Sequence, residues 1–305
     1  MRNKIFALLA AFGAATIYGL NHTIAKVVMP DYVGAFGFIM LRIVGASILF
    51  WTVSLFLPNE KIDRKDYSRI IGVAFLGMCI NMLMFFKGLE LSTPINSGII
   101  ATLIPIIILI LSSIFLNESL NFSKISGIAI GFAGAIILII YGNQTIVINA
   151  PNVPLGNILM LGNSISYGAY LVFVKMLTEK YHTVTIMKWM FLVGSFMTFP
   201  VTYSDFIDIS WHNMPFYALW RIGFVVVCTT FLTYFLNVYA LKTLPPTTIG
   251  AFVYLQPIIT IIYAVLTEND TLDWVKILAC ILVFFGVYLV SFKKKILKTK
   301  QGTPS

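Results

Sequence analysis

Apolar runs of about 20 residues follow one another almost to the end of this 305-residue chain. At ~1.5 Å of rise per residue, a helix of that length crosses a roughly 30 Å hydrocarbon core. No other feature narrows the fold so far. Hydrocarbon offers the backbone no partner for its N–H and C=O groups, so each run must bond within itself, as an α-helix does. With 59% hydrophobic residues, 11% charged residues and a mean hydropathy of +0.91, a soluble protein is excluded. The net charge of +9 does not point to nucleic acid. Its lysines and arginines sit in short turns and a tail beside apolar spans, where a membrane-spanning chain carries them.

The sequence predicts an all-α membrane protein with ten transmembrane helices, at about 5–28, 33–57, 68–90, 94–116, 122–141, 154–176, 183–203, 215–241, 245–267 and 272–292. No connection is long enough to hold a soluble domain. Cys79, Cys228 and Cys280 all fall inside apolar runs without CxxC spacing, which reads as core filler rather than a disulfide framework or metal site. The first run follows Arg2 and Lys4 but extends to about Val28 without a small-x-small cleavage site, so it reads as a retained helix.

The ten spans form two sets of five. Residues 87–122 recur 152 positions later without a gap: Pro94, Gly98, Pro105, Asn117, Glu118 and Phe122 meet Pro246, Gly250, Pro257, Asn269, Asp270 and Trp274. At an offset of 149, Gly13, Tyr18, Gly19, Lys26, Gly45 and Phe50 return as Gly162, Tyr167, Gly168, Lys175, Gly194 and Phe199. A unit has been duplicated. Because five is odd, the second copy must enter the membrane from the opposite side, making the repeat an inverted one. Positive charge agrees with both termini in the cytoplasm: Lys61, Arg64, Lys65, Arg69, Lys175, Lys180, Lys188 and the tail lysines from Lys293 onward would lie inside. The opposite side would hold few basic residues, and Tyr141 to Gly156 holds none.

Several polar residues sit too deep in apolar spans to be incidental. In the first span, Tyr18, Asn21 and His22 share a face; buried polar side chains there either bond to neighbouring helices or line a water-filled path. Arg42 lies near the middle of the second span, with no carboxylate in the sequence at comparable depth. It reads either as a clamp on carbonyl groups freed near a helix break or as an attractor for a carboxylate or phosphate. The fourth and ninth spans each carry a mid-span proline, Pro105 and Pro257. Paired helix interruptions in corresponding spans are the best sequence pointer to a transporter's midplane site. Asn96 and Thr102 accompany the first break, and Tyr254, Gln256 and Thr260 the second. Asn81 in the third span, Asn163, Ser166 and Tyr170 in the sixth, and Tyr234 and Asn237 in the eighth complete the expected substrate pathway. For any one of these, bonding between helices is the competing role.

No GxxxxGK loop, HExxH, GxSxG or pair of intramembrane aspartates is present, so no catalytic residues, cofactor or metal are expected. Two readings from other classes compete with a carrier: a membrane enzyme acting on a lipid-linked substrate, and a scaffold without turnover. The expected partners are the lipid bilayer and a small-molecule solute, with no nucleic acid.

The segment YGLNHTIAK, Tyr18 to Lys26, resembles the WGsNfxxxK stretch that opens EamA-type members of the drug/metabolite transporter superfamily, with Tyr18 for the usual Trp and His22 where Phe is common. LRIVGAS (41–47) is similar to that family's second-helix arginine motif, the segment from Pro105 to Glu118 to its "P…E" signature, and SISYGAYLVFVK (164–175) to the opening of its second repeat. The resemblance implies EamA repeats at 5–141 and 154–292, joined by an external linker at 142–153 and followed by a basic cytoplasmic tail at 293–305. It also implies a multi-pass plasma-membrane carrier, in a bacterium the inner membrane, that moves small metabolites and often exports amino acids. Tyr18 and His22 depart from the family pattern within the expected cavity wall, so no one member's cargo carries over.

Overall fold

A computed structural model describes residues 2–58, 60–116, 122–141 and 150–291. The first-half copies of the Asn–Glu pair, Asn117 and Glu118, lie outside the described residues, as do most of the linker and the basic tail. The described residues contain helices and turns and no strand.

In chain order, α1 (Arg2–Lys26) and α2 (Ala35–Ser54) are continuous. A 3₁₀ turn at Arg64–Asp66 leads into α3 (Tyr67–Ala74), a π-helical stretch at Phe75–Ile80 and α4 (Asn81–Leu91), which together form one rod. The next rod is broken into α5 (Pro94–Ala101) and α6 (Ile104–Leu116), and α7 (Phe122–Tyr141) follows. The second half repeats the series. It consists of α8 (Val153–Thr178), α9 (Thr183–Ile207), α10 (Phe216–Phe224) joined through a π-helical stretch at Val225–Leu232 to α11 (Thr233–Leu241), α12 (Pro246–Val253) broken from α13 (Leu255–Leu266), and α14 (Trp274–Ser291). Among the described residues, eight helical runs are long and apolar enough to cross a membrane; the apolar cores of α7 and α14 are shorter, Ile125–Ile137 and Trp274–Gly286. Large apolar side chains such as Phe56, Phe122, Phe196 and Trp274 cover the outside. Lipid tails are as apolar as leucine, so burying such groups gains little in a membrane and the contact between helices falls to packing and polar bonds.

The two mid-span prolines mark interruptions by opening new helices rather than by kinking continuous ones. Pro105 is the second residue of α6 and Pro257 the third of α13; each sits in the first turn of a fresh helix rather than inside a continuous one. There its missing N–H falls among donors that have no intrahelical partner anyway, which is why the chain breaks just ahead of it. The breaks themselves, at Thr102–Leu103 and at Tyr254, are 152 positions apart, counting from Thr102.

Packing partners exchange between halves. Helix α1 packs on α11 and α13, as α8 packs on α4 and α6; α2 packs on α9, and α7 on α14. Two close approaches at paired positions follow the same rule. A Cβ on Gly19 would lie 2.8 Å from Cβ of Ile259, and one on Gly168 would lie 2.8 Å from Cγ2 of Ile107. Polar ties are paired too. Lys26 Nζ donates to the carbonyls of Leu89 (2.8 Å) and Glu90 (2.7 Å) at the end of α4, and Lys175 Nζ donates to that of Leu241 (2.6 Å) at the end of α11. A cation at a helix C-terminus meets carbonyls without intrahelical donors and the negative end of the helix dipole.

Candidate functional site

The breaks, the π-helical stretches and the close crossings surround one polar cavity. It is lined by Tyr18, Asn21 and His22 of α1, Arg42 of α2, Asn81 and Phe85 of α4, and Ala101 and Ile104 at the first break. Asn163 and Tyr167 of α8, Tyr234 of α11 and Gln256 of α13 complete the wall. Both halves therefore contribute. At about 50 Å³ the cavity has room for a few waters, well short of the several hundred Å³ that ligand pockets span.

Local backbone irregularity shapes the wall. A π-helical turn leaves carbonyl groups that side chains can claim. In the first stretch Leu76 O accepts from Ser166 Oγ (2.7 Å) and Gly77 O from Tyr234 Oη (3.1 Å), both from the other half. In the second the helix serves itself: Thr230 Oγ1 donates to Val225 O (2.7 Å) and Thr233 Oγ1 to Cys228 O (2.8 Å). Asn81 and Asn163 exchange bonds across the seam, Asn163 Nδ2 to Asn81 O at 3.0 Å and Asn81 Nδ2 to Asn163 O at 3.4 Å.

Arg42 is 3% exposed. Its Nε donates to Thr230 Oγ1 at 2.6 Å, and the guanidinium carbon stands 4.6 Å from the centre of the Phe86 ring. The clamp therefore holds a hydroxyl of the π-helical stretch rather than a freed carbonyl directly. Placing such a charge at full depth costs ~2.5–3.5 kcal/mol on insertion scales. A charge-assisted hydrogen bond of ~1.5–3 kcal/mol and a ring contact of ~0.5–2 kcal/mol offset that. Among the described residues, the ion pairs run from Asp66, Glu90, Glu179, Asp270 and Asp273 to lysines or Arg69, and none reaches Arg42.

His22 Nδ1 pairs with Ser97 Oγ at 2.6 Å, and the ring lies edge-on to Phe85 with centroids 5.4 Å apart. Asn21 Oδ1 is buried without a donor among the described residues. Tyr18 meets Tyr167 and Tyr234 edge to face, at centroid distances of 6.0 and 6.5 Å.

Of the residues that the sequence nominates, Tyr18, Asn21, His22, Arg42, Asn81, Asn163, Tyr234 and Gln256 line the cavity. The others stand behind it. Asn237 donates to Tyr167 Oη (2.9 Å), Thr102 Oγ1 to Ile99 O (2.6 Å), and Ser166 braces the first π-helical stretch. Tyr170 packs on Gly77, where a Cβ would lie 2.5 Å from its Cδ2; Tyr254 occupies the second break; Asn96 joins Ser92 and Asn157. Sequence reasoning missed Tyr167 and Phe85 as wall residues. Tyr167 is the repeat counterpart of Tyr18, and Phe85 follows Asn81 by one helical turn, so both signals were present. Among the described residues no three His, Cys, Asp or Glu side chains converge to hold a metal ion.

A bundle of membrane-length helices with an apolar exterior and a polar cavity between its halves defines an integral, multi-pass membrane protein of the transporter class. The EamA-like transporter family matches at residues 5–140 and again at 154–292, and the chain belongs to that family. An uncharacterized transporter of Archaeoglobus fulgidus is 23% identical over 281 residues, covering 92% of this chain and 96% of the relative. The uncharacterized transporter YetK of Bacillus subtilis is 22% identical over 309 residues, covering 97% and 89%. Protein WALLS ARE THIN 1 of Arabidopsis thaliana is 20% identical, covering 93% and 80%. A crystal structure with 16% identity superposes at a TM-score of 0.64, covering 93% of this chain and 96% of that one, a likeness of fold alone.

Proposed function

We propose that this protein is a secondary transporter of a small organic metabolite, working by alternating access in the plasma membrane. In this reading ten spans form two inverted EamA repeats, 5–141 and 154–292, with both termini cytoplasmic, and the halves rock about the cavity. The observation that carries it is the cavity itself: polar residues from both halves meet at the level of the paired helix breaks. Tyrosine rings in the wall suit an apolar or aromatic amino acid, and the family resemblance favours export.

Counterflow in proteoliposomes tests the reading. Vesicles preloaded with an unlabelled metabolite extract should take up labelled members of that extract faster than empty vesicles do. Absence of acceleration for every labelled solute would sink the proposal in favour of a scaffold. Chemical conversion of the solute would instead favour an enzyme. Replacing both Asn21 and His22 with Ala should slow exchange by about tenfold or more, a loss worth one or two hydrogen bonds, with the helical content intact.

A further inference from the structure

Arg42 has donors to spare. A guanidinium carries five N–H groups, and in this protein one of them, on Nε, is bonded to Thr230. Its terminal nitrogens make no hydrogen bond among the described residues, although the side chain is almost wholly buried and lines the cavity. The fork they present matches the two oxygens of a carboxylate. The ring of Phe86 and the hydroxyl of Thr230 fix its plane and its root, so the fork is set before any solute arrives. Nearby wall groups are neutral: amides from Asn21, Asn81, Asn163 and Gln256, and hydroxyls from Tyr18, Tyr167 and Tyr234. An anion entering this cavity meets one cation and no competing carboxylate.

We propose that the solute carries a carboxylate and that Arg42 is the residue that receives it. Asn21 Oδ1, buried without a donor, supplies an acceptor in the same wall for an N–H or O–H of the solute. The cavity as it stands admits a group of carboxylate size, and the rest of the solute enters as the walls part. This inference rests on the transport reading, but its test separates the two.

The probes are matched pairs: L-phenylalanine with L-phenylalaninamide, L-leucine with L-leucinamide, and phenylacetate with phenylacetamide. Binding to the purified full chain in detergent is read by isothermal titration. At least one acid should bind about tenfold or more tightly than its amide, and Arg42→Gln should abolish that preference. Arg42→Lys should keep part of it, because the charge remains while the fork is lost. The acid-over-amide comparison on the unaltered protein stands even if the variants misfold, which circular dichroism would reveal. Equal binding of acid and amide, unchanged preference in a folded Arg42→Gln protein, or no binding by any acid would each overturn the assignment. Counterflow of neutral or cationic solutes alone would remove the carboxylate and leave the transporter; acid binding at Arg42 without any exchange would do the reverse.

Discussion

His182 caps the first turn of α9. Its Nδ1 accepts from Val184 N at 3.3 Å, while its own backbone N–H donates to Glu60 Oε2 at 2.8 Å. Burial and the nearby Lys242 hold its pKa below the ordinary value, and Glu60 offsets this only in part. The folded chain therefore takes up this proton less readily than the unfolded chain does. Stability is intact above the ordinary histidine value near ~6.5 and declines as the pH falls from there through the lowered one. Protonation at Nδ1 also removes the acceptor on which the cap depends. Thermal melts of the native protein should lose midpoint temperature between pH 7.5 and 5.5. His182→Asn, which caps without titrating, should flatten that slope; identical slopes would show that His182 does not contribute.

At the scale of elements, the pairing of α7 with α14 depends on a backbone approach. A Cβ on Gly286 would fall 2.5 Å from Gly127 O and 2.6 Å from Gly131 N, atoms that cannot step aside. On Gly168 the same atom would first meet Ile107 Cγ2 at 2.8 Å and Cβ at 3.3 Å, side-chain atoms rather than backbone. Gly286→Ala should therefore cost more than Gly168→Ala, by about 1–3 kcal/mol of overpacking, as measured by the detergent midpoint of unfolding. Equal costs would mean that α7 and α14 separate easily. Much at this scale was legible in the residues: that apolar helices follow one another, that the family unit comes twice, and that helices are interrupted near Pro105 and Pro257. The π-helical stretches were not. FLGMCI and VVVCTTFL carry no proline, and the donors claiming the first stretch, Ser166 and Tyr234, come from the other half of the chain. The wall residues follow the same division. Asn21 and Gln256 stand out because amides are costly in hydrocarbon, whereas Phe85 is one phenylalanine among 25 until α4 is placed beside α1.

For the molecule as a whole, each lysine tie stays within one half but joins helices that pack on different partners: α1 lies on α11 and α13, whereas α4 lies on α8. Lys26 joins the end of α1 to the end of α4, and Lys175 joins the end of α8 to the end of α11, at sequence positions that correspond. If the repeats are inverted, these ties lie at opposite faces. Removing one should then favour opening on its own side. The measurement replaces Ala101 of the cavity wall with Cys, in a background where Cys79, Cys228 and Cys280 are Ser, and labels it with a membrane-impermeant maleimide from each side of oriented vesicles. Lys26→Gln should raise labelling from one side and Lys175→Gln from the other. A rise from the same side in both variants would contradict opposed orientation of the halves.

A chain that holds its own second copy also brings a built-in reference. Each engineered change at a paired position can be judged against its twin under one lipid, one temperature and one assay. Whatever differs between the twins belongs to the particular neighbours of each half, and whatever they share belongs to the duplicated unit.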